Sequence, residues 1–592
     1  TKKFSIHLIK MFPTLNKTLL LVDNKLKKQL ILIYFLSIIG TFLETLGIGI
    51  ILPILKVIIE GEEFIKNFSS NYLIINSFLE YLLLKNYEEL IVFLLLMVIL
   101  VFLIKTCFFL FLINKQTKLS HMIEYKLAKA FFNHYLNQKY SFHLTRNSSK
   151  LFSNITEEIK NFRLNLIDPF LIITTEIIFL TAIAILLIVI EPTASISVAI
   201  FIILISFIYI TFTKSKISRI AKKRQIHEAL KIQHLKQGLN GIKEIKISSK
   251  ENIFLSIFAK HNLEAVNSRA KLGLWTIIPR YLLEFLTVAG ISVLAIFFVN
   301  KGGDLKSLLP TLGVFLVATF RLLPSTVKII QSYGKIRYGE PSADLLKSEL
   351  DQAKNEFYEN KVFKIKKDFH FSRITFKNVS FKYPNTNKNI LNNFSFEIKK
   401  GDKIGVIGNS GSGKSTFIDI LTGLIVPTKG EIFLNDKLIE LENKNWFNII
   451  GYTPQFIFLS DDTILNNIAF GVEKKDLNMD KYKKATELSE IKEFIEGAKL
   501  GSDTFIGEFG VRLSGGQRQR IGIARSLYLD PEIIILDEST SAIDLQTEEK
   551  IINNINTLSD KTIIIVSHRL STLKNCNKII EIKKGYLEIK KA

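Results

Sequence analysis

Apolar residues dominate six stretches of the first half of the chain, at about 30–57, 90–113, 167–190, 193–213, 277–299 and 307–331. Each is near the ~20 residues that a helix needs to cross a ~30 Å hydrocarbon layer, so six membrane-spanning helices are expected. The connections alternate in character. After the first, third and fifth stretches they carry E-G-E-E, E-P-T and N-K-G-G-D-L-K-S; after the second and fourth they run to roughly 55–65 residues and are rich in Lys and Arg. The positive-inside tendency puts the N-terminus, both long connections and the second half of the chain in the cytoplasm. Within the long connections, runs such as Q-T-K-L-S-H-M-I-E-Y-K-L-A-K-A-F-F-N-H-Y-L keep apolar residues at helical spacing with few Gly or Pro. The spacing predicts helices that continue well beyond the membrane and break near 139–151 and 240–252. Residues 71–89, on the outer side, suit either an interfacial helix or a loop helix packed on its neighbours.

Past about residue 340 the pattern changes to a polar Lys- and Glu-rich stretch and then to short alternating strands, which signals a soluble α/β domain. The expected organisation is an α-helical transmembrane domain over 1–340, a linker over 341–369, and an α/β P-loop ATPase domain over 370–592. The hydrophobic fraction of 48% and the mean hydropathy of +0.25 agree with a large membrane part. A formal charge of +23 could serve nucleic-acid binding, but lysines on the cytoplasmic side of a membrane protein produce the same total, so no nucleic-acid partner is expected. Cys107 and Cys576 form neither a disulfide framework nor a zinc-ligand pattern. The opening T-K-K-F-S-I-H-L-I-K-M-F-P does not read as a secretory signal peptide.

The second half carries the chemistry. The strand K-I-G-V-I runs into Gly408, Asn409, Ser410, Gly411, Ser412, Gly413, Lys414, Ser415 and Thr416, which satisfy G-x-x-x-x-G-K-[ST]. Backbone N–H groups of such a loop wrap phosphates, Lys414 reaches the β- and γ-phosphates, and Ser415 offers a hydroxyl to Mg²⁺. A second apolar strand, I-I-I-L-D-E, ends in two acids: Asp537 suits Mg²⁺ and Glu538 suits the water that attacks the γ-phosphate. A third, T-I-I-I-V, leads into S-H-R and puts His568 at a strand end, within reach of the γ-phosphate. ATP and Mg²⁺ are the cofactors these motifs call for.

With these motifs in order, residues 370–592 resemble the nucleotide-binding domain of ATP-binding cassette (ABC) transporters. R-L-S-G-G-Q-R-Q-R contains that family's signature at Leu513, Ser514, Gly515, Gly516 and Gln517. The resemblance implies that Tyr383 stacks on adenine, that Gln455 senses the γ-phosphate, acts with Mg²⁺ and faces the membrane domain, and that Asp544 lies at a dimer seam. Thr504–Gly510 resembles the exporter segment that contacts the intracellular helices. It also implies that the signature binds ATP held on the phosphate loop of a second subunit. With six spans and one cassette the chain is then a half-transporter, most simply a homodimer, with a heterodimer left open.

Together the two halves resemble the exporter class, with coupling helices within 139–151 and 240–252. The cargo has to be sought among charges inside the apolar runs: Glu44, Lys105, Arg280, Glu284, Arg321 and Lys328. Intramembrane charges normally face a cavity or a partner. Lys105, Arg280, Arg321 and Lys328 are expected as cations able to meet an anionic headgroup; the alternatives are neutralisation of Arg280 by Glu284, four residues on, and snorkelling to an interface for the others. L-E-T-L-G-I-G-I-I-L-P, I-P-R-Y-L-L-E and F-R-L-L-P-S are similar to stretches of bacterial lipid-linked oligosaccharide flippases of protein N-glycosylation pathways. That resemblance implies a bacterial inner-membrane translocase for a polyprenyl-diphosphate-linked oligosaccharide. Export of another lipid, a lipopolysaccharide precursor, a drug or a peptide is the competing expectation.

Overall fold

The computed structural model describes residues 18, 21–60, 87–190, 192–300, 305–356, 371–384, 386–438 and 444–591, with side chains for most of these. The segment 61–86, which holds most of the proposed outer helix, lies outside them; 87–89 open the second long helix. The chain divides into two compact units: Thr1–Gln138 with Arg146–Phe357, and Lys139–Thr145 with Tyr358–Ala592.

Among the described residues, the first unit is built on six long helices: α1 (Asn24–Glu60), α2 (Tyr87–Leu136), α3 (Asp168–Ile190), α4 (Pro192–Asn240), α5 (Glu251–Asn300) and α6 (Leu305–Glu356). Each apolar run of the sequence falls on one of them. Among the described residues, Asn24–Gly47, Ile91–Leu136, Ser148–Leu186, Ala199–Asn240 and Glu251–Gly290 are long and apolar enough to cross a membrane; the run 307–331 lies on α6, whose side chains are described from 322 onward. α2, α4 and α5 hold 50, 49 and 50 residues. At ~1.5 Å per residue that is about 75 Å, more than twice the hydrocarbon thickness, so their polar ends stand outside it. Large apolar side chains such as Phe207, Phe285 and Val189 point outward, as they do on helices that face lipid.

α4 packs on α5 and α6, α1 on α2, and α3 on α1 and α6. The helical extensions break where the periodicity does. Between α4 and α5 the short helix Ile242–Ser248 starts at Gly241 and ends on Ser249 in the left-handed conformation (φ 53°). Between α2 and α3 lie Tyr140–Thr145, which belongs to the second unit, and Ser148–Ser153, capped by Asn147 through Ser149 N. Two π-helical turns follow, Asn154–Glu158 and Arg163–Ile167. The first aims Glu158 into the bundle, where Arg224 of α4 grips both its oxygens (2.9 and 3.1 Å) and Ser342 of α6 donates to it (2.5 Å).

The second unit holds two sheets. A parallel set β9 (Lys578–Lys583), β3 (Lys403–Gly408), β8 (Thr562–Val566), β7 (Ile533–Asp537) and β6 (Ile450–Thr453) is extended by antiparallel β10 (Tyr586–Lys591). An antiparallel sheet runs in the order β2 (Leu391–Lys399), β1 (Arg373–Phe381), β4 (Lys429–Leu434), β5 (Lys437–Leu438). β7 and β8 are buried at every position, as strands of a parallel sheet covered on both faces must be, which is why they read as unbroken apolar runs. The order β3-β8-β7-β6 has a direct consequence: four neighbouring parallel strands end on the same edge, where α/β folds bind ligands.

Candidate nucleotide site

β3 ends in the glycine loop, and helix α7 (Lys414–Leu421) starts from it behind Gly413, whose φ of +109° favours glycine. A Cβ on Gly408 would lie 2.5 Å from the backbone oxygen of Ile582, so the loop closes against β9 only with glycine there. Phe417, Ile418, Ile420 and Leu421 anchor α7 in the core. Lys414 is buried, and its ammonium donates to the carbonyls of Gly408 (2.8 Å) and Asn409 (3.3 Å). Ser415 is exposed on the first turn beside Thr416. The Tyr383 hydroxyl sits 3.3 Å from Thr416 Oγ1, its ring held edge-on by Phe381.

The other three strands bring up the remaining groups. β7 delivers Asp537, whose Oδ2 accepts from Tyr452 of β6 at 3.3 Å; burial raises the Asp537 pKa against that hydrogen bond. Glu538 follows in a left-handed conformation (φ 46°) that is costly for a side chain of this kind; its N–H donates to Val566 O on β8 (3.0 Å). The carboxylate of Glu538 is a meeting point. Gln455 Nε2 donates to it at 2.8 Å, His568 Nε2 lies 2.9 Å away and Lys414 Nζ 3.8 Å. Because a carboxylate only accepts, His568 carries its proton on Nε2. Gln455, His568 and Lys414, proposed from three separate motifs, are thus within hydrogen-bond or ion-pair reach of the Glu538 carboxyl group, proposed from a fourth.

Tyr452 and Asp419 escaped sequence reasoning. Tyr452 belongs to none of the phosphate-site motifs. Asp419, in the apolar run F-I-D-I-L, is pushed up to about 6 by burial first and by the nearby Asp537 second; a lone acid on the apolar side of the loop helix was the available signal.

The signature opens helix α8 (Gly515–Tyr528). Ser514 caps it, accepting from Gln517 N while the Gln517 side chain accepts from Ser514 N, a complete capping box. Leu513 is buried beneath the turn and Ser514 is exposed. Gly515 and Gly516 lie against Ala542, where added Cβ atoms would come within 3.2 and 3.1 Å. Gln519, the second glutamine of R-L-S-G-G-Q-R-Q-R, is buried and fastens the next loop: it donates to Ser541 Oγ (3.1 Å) and accepts from Ala542 N (2.8 Å). That loop ends at Asp544, which caps helix α9 (Leu545–Asn556) by accepting from Thr547 N at 2.9 Å. Sequence reasoning missed Gln519 because its partners lie more than twenty residues away.

These residues fit a Mg²⁺–nucleotide. Ser412 Oγ is buried with no hydrogen-bond partner among the described residues, and a Cβ on Gly411 would meet nothing within 4 Å. A buried cation, an exposed hydroxyl and a carboxylate pair at one sheet edge complete the donor set such a ligand requires.

In the helical unit the intramembrane cations have to be redrawn. Lys105 does not stand alone: it is ion-paired with Glu44 across α2 and α1. Lys328 of α6 meets Glu176 of α3 at 2.6 Å. Neither acid lies at helical spacing on its partner's own helix, which is why the pairs are invisible in one dimension. Arg280 and Glu284 are joined at 2.9 Å as their spacing implies. The side chain of Arg321 lies outside the described residues.

A bundle of long helices followed by a P-loop unit with signature, acid pair and strand-end histidine defines a helical transmembrane domain joined to an ABC-type nucleotide-binding domain. Residues 30–319 match the family model of the ABC transporter transmembrane region and residues 391–541 match that of the ABC transporter. The chain therefore joins an ABC transporter transmembrane region to an ABC ATPase domain. It is 41% identical over 216 residues to the alpha-hemolysin translocation ATP-binding protein HlyB of Escherichia coli O157:H7, covering 36% of this chain and 30% of that protein. It is 32% identical over 352 residues to the ATP-dependent lipid A-core flippase of Pseudoalteromonas atlantica, 59% of each. The chain thus spans about a third of the length of the first of these relatives. The fold matches a bacterial Atm1-family ABC exporter solved with ATP bound, with a TM-score of 0.75 over 96% of both chains at 22% identity.

Proposed function

We propose that the chain is one half of an ATP-driven exporter in a bacterial inner membrane, which acts as a homodimer and moves an amphiphile with an anionic headgroup. The convergence of Lys414, Gln455 and His568 on the Glu538 carboxylate carries the ATPase part of this reading.

When bound, Mg²⁺–ATP supplies a phosphoryl group whose transfer to water is strongly favourable. The loop amides of Gly408–Ser415 and the Lys414 ammonium would bind phosphate oxygens, Ser415, Asp537 and Gln455 would hold the metal, and the Tyr383 ring would take the base. Glu538 orients the attacking water and accepts its proton, while His568 Nε2–H and Lys414 balance charge developing opposite it. Leu513–Gln517 of each chain complete the site on the partner's phosphate loop, and Asp544 lies at the seam. Closure and release of the two cassettes then drive the membrane half, with a strength set by ATP's differential affinity for the two states.

For cargo, we propose a polyprenyl-diphosphate-linked oligosaccharide. The alignment with a lipid flippase is long enough to include part of the helical unit, and the apolar spans carry Lys105, Arg280, Arg321 and Lys328. Because Lys105 and Lys328 have acid partners, binding a diphosphate requires exchanging them. Lys328 suits that exchange best, being 56% exposed while Glu176 is 13% exposed.

Reconstitution in liposomes tests both parts. Glu538→Gln should abolish ATP-dependent translocation of a lipid-linked oligosaccharide and lower hydrolysis on the order of a hundredfold or more; unchanged rates sink the mechanism. Brisk hydrolysis by wild type with no movement of that lipid leaves the ATPase intact and overturns the cargo, with a lipopolysaccharide precursor, a drug and a peptide as the next substrates assayed. Lys328→Ala should lower translocation far more than basal hydrolysis.

A further inference from the structure

Beyond the apolar part of α4, three histidines gather between α4 and α5. His227 and His261 face each other across the two helices with their Nδ1 atoms 3.0 Å apart. His234, two turns along α4 from His227, stacks on the His261 ring at 5.1 Å between centroids and 11° between planes. Its own Nδ1 lies 3.1 Å from Gln237 Oε1; an amide oxygen only accepts, so that nitrogen carries the proton and the ring is held in place.

We propose that His227 and His261 form a two-histidine chelate for a divalent transition-metal ion, with nickel or copper(II) preferred. The spacing carries the argument. Two ligand nitrogens at ~2.0 Å from a metal and 3.0 Å from each other subtend roughly 95° at the ion. That is nearer the right angle of square-planar or octahedral coordination than the wider tetrahedral angle that zinc prefers.

The N–H···N hydrogen bond now joining the rings uses one lone pair and one proton. Moving that proton to Nε2 of the same ring frees both Nδ1 atoms without changing the charge of either histidine. The face of His261 is stacked on His234, and aiming both Nδ1 lone pairs at one ion instead of at each other takes a turn of roughly 40° at each ring. Among the described residues no three or more metal-ligating side chains converge on one position, so water completes the coordination. Glu264, one turn beyond His261, is paired with Lys223 at 2.7 Å, and Lys260 adds a positive charge beside His261. A bound ion would pin α4 to α5 close to the break at 240–252.

The test uses the full-length protein in detergent without a polyhistidine tag, titrated with nickel by calorimetry. The expected result is one ion per chain, a tenfold or greater loss of affinity in both His227→Asn and His261→Gln, a smaller loss in His234→Ala, and affinity rising from cobalt through nickel to copper. Basal ATPase, which these residues do not touch, confirms that each variant is folded. Absence of binding at roughly 100 µM nickel, or binding by the His227→Asn/His261→Gln double variant like that of wild type, overturns the proposal.

Discussion

At the scale of single residues, the site depends on positions whose roles are enforced by geometry. Gly408→Ala should abolish nucleotide binding, because its methyl group would meet a backbone oxygen of β9 that cannot step aside. Filter binding with labelled ATP measures this, and wild-type affinity in the variant would contradict the fit. Asp419 gives a pH dependence. Its folded-state pKa, pushed up from 3.8 to about 6, means the ionised form is disfavoured in the fold. Stability is therefore lost as pH rises between about 4 and 6 and the penalty is complete above that window. Asp419→Asn should stabilise the cassette at pH 7.5 by on the order of 1 kcal/mol, after discounting for solvent screening of a half-buried group. The gain should vanish near pH 4, read as the difference in melting temperature at the two pH values. Local chemistry of the glycine loop and the acid pair was legible in the sequence because each is one contiguous motif. Asp419 and Tyr452 were not, because the burial that perturbs Asp419 and the hydrogen bond from Tyr452 to Asp537 arise only in the folded sheet edge.

At the scale of elements, the apolar runs announce six helices but not which side chains meet between them. Glu158 and Arg224 are 66 residues apart, and the π-helical turn that aims Glu158 inward has no sequence signal of its own. The same limit hides Lys105 with Glu44 and Lys328 with Glu176. Glu158 and Arg224 are both almost fully buried, so removing one partner leaves a charge with no compensation. Glu158→Ala should cost about 3–5 kcal/mol, whereas replacing Glu158 and Arg224 together by apolar residues of similar volume should cost far less. Thermal unfolding of the detergent-solubilised protein distinguishes the two outcomes: equal losses in the single and double variants would mean that packing, not charge pairing, dominates there. The signature turn is the opposite case, with Ser514 and Gln517 forming a local cap that the sequence spells out.

At the scale of the whole molecule, the proposed dimer makes a claim that no single chain can satisfy. If each ATP site takes its phosphate loop from one chain and its signature from the other, Lys414→Ala and Ser514→Arg homodimers each have two broken sites. A mixed dimer concentrates both lesions in one site and leaves the other whole. Random reassociation of equal amounts places about half of the chains in mixed dimers, so a mixture should recover roughly a quarter of wild-type ATPase if the sites act independently. Recovery should require co-expression or subunit exchange, and a covalently linked tandem of the two variants should reach about half. Both substitutions in the same chain of a tandem with wild type give a different arrangement: each site then has one lesion, and activity should be absent. The reverse pattern, an inactive first tandem and a half-active second one, would show that both halves of a site come from one chain, and the exposed signature serine would need another explanation.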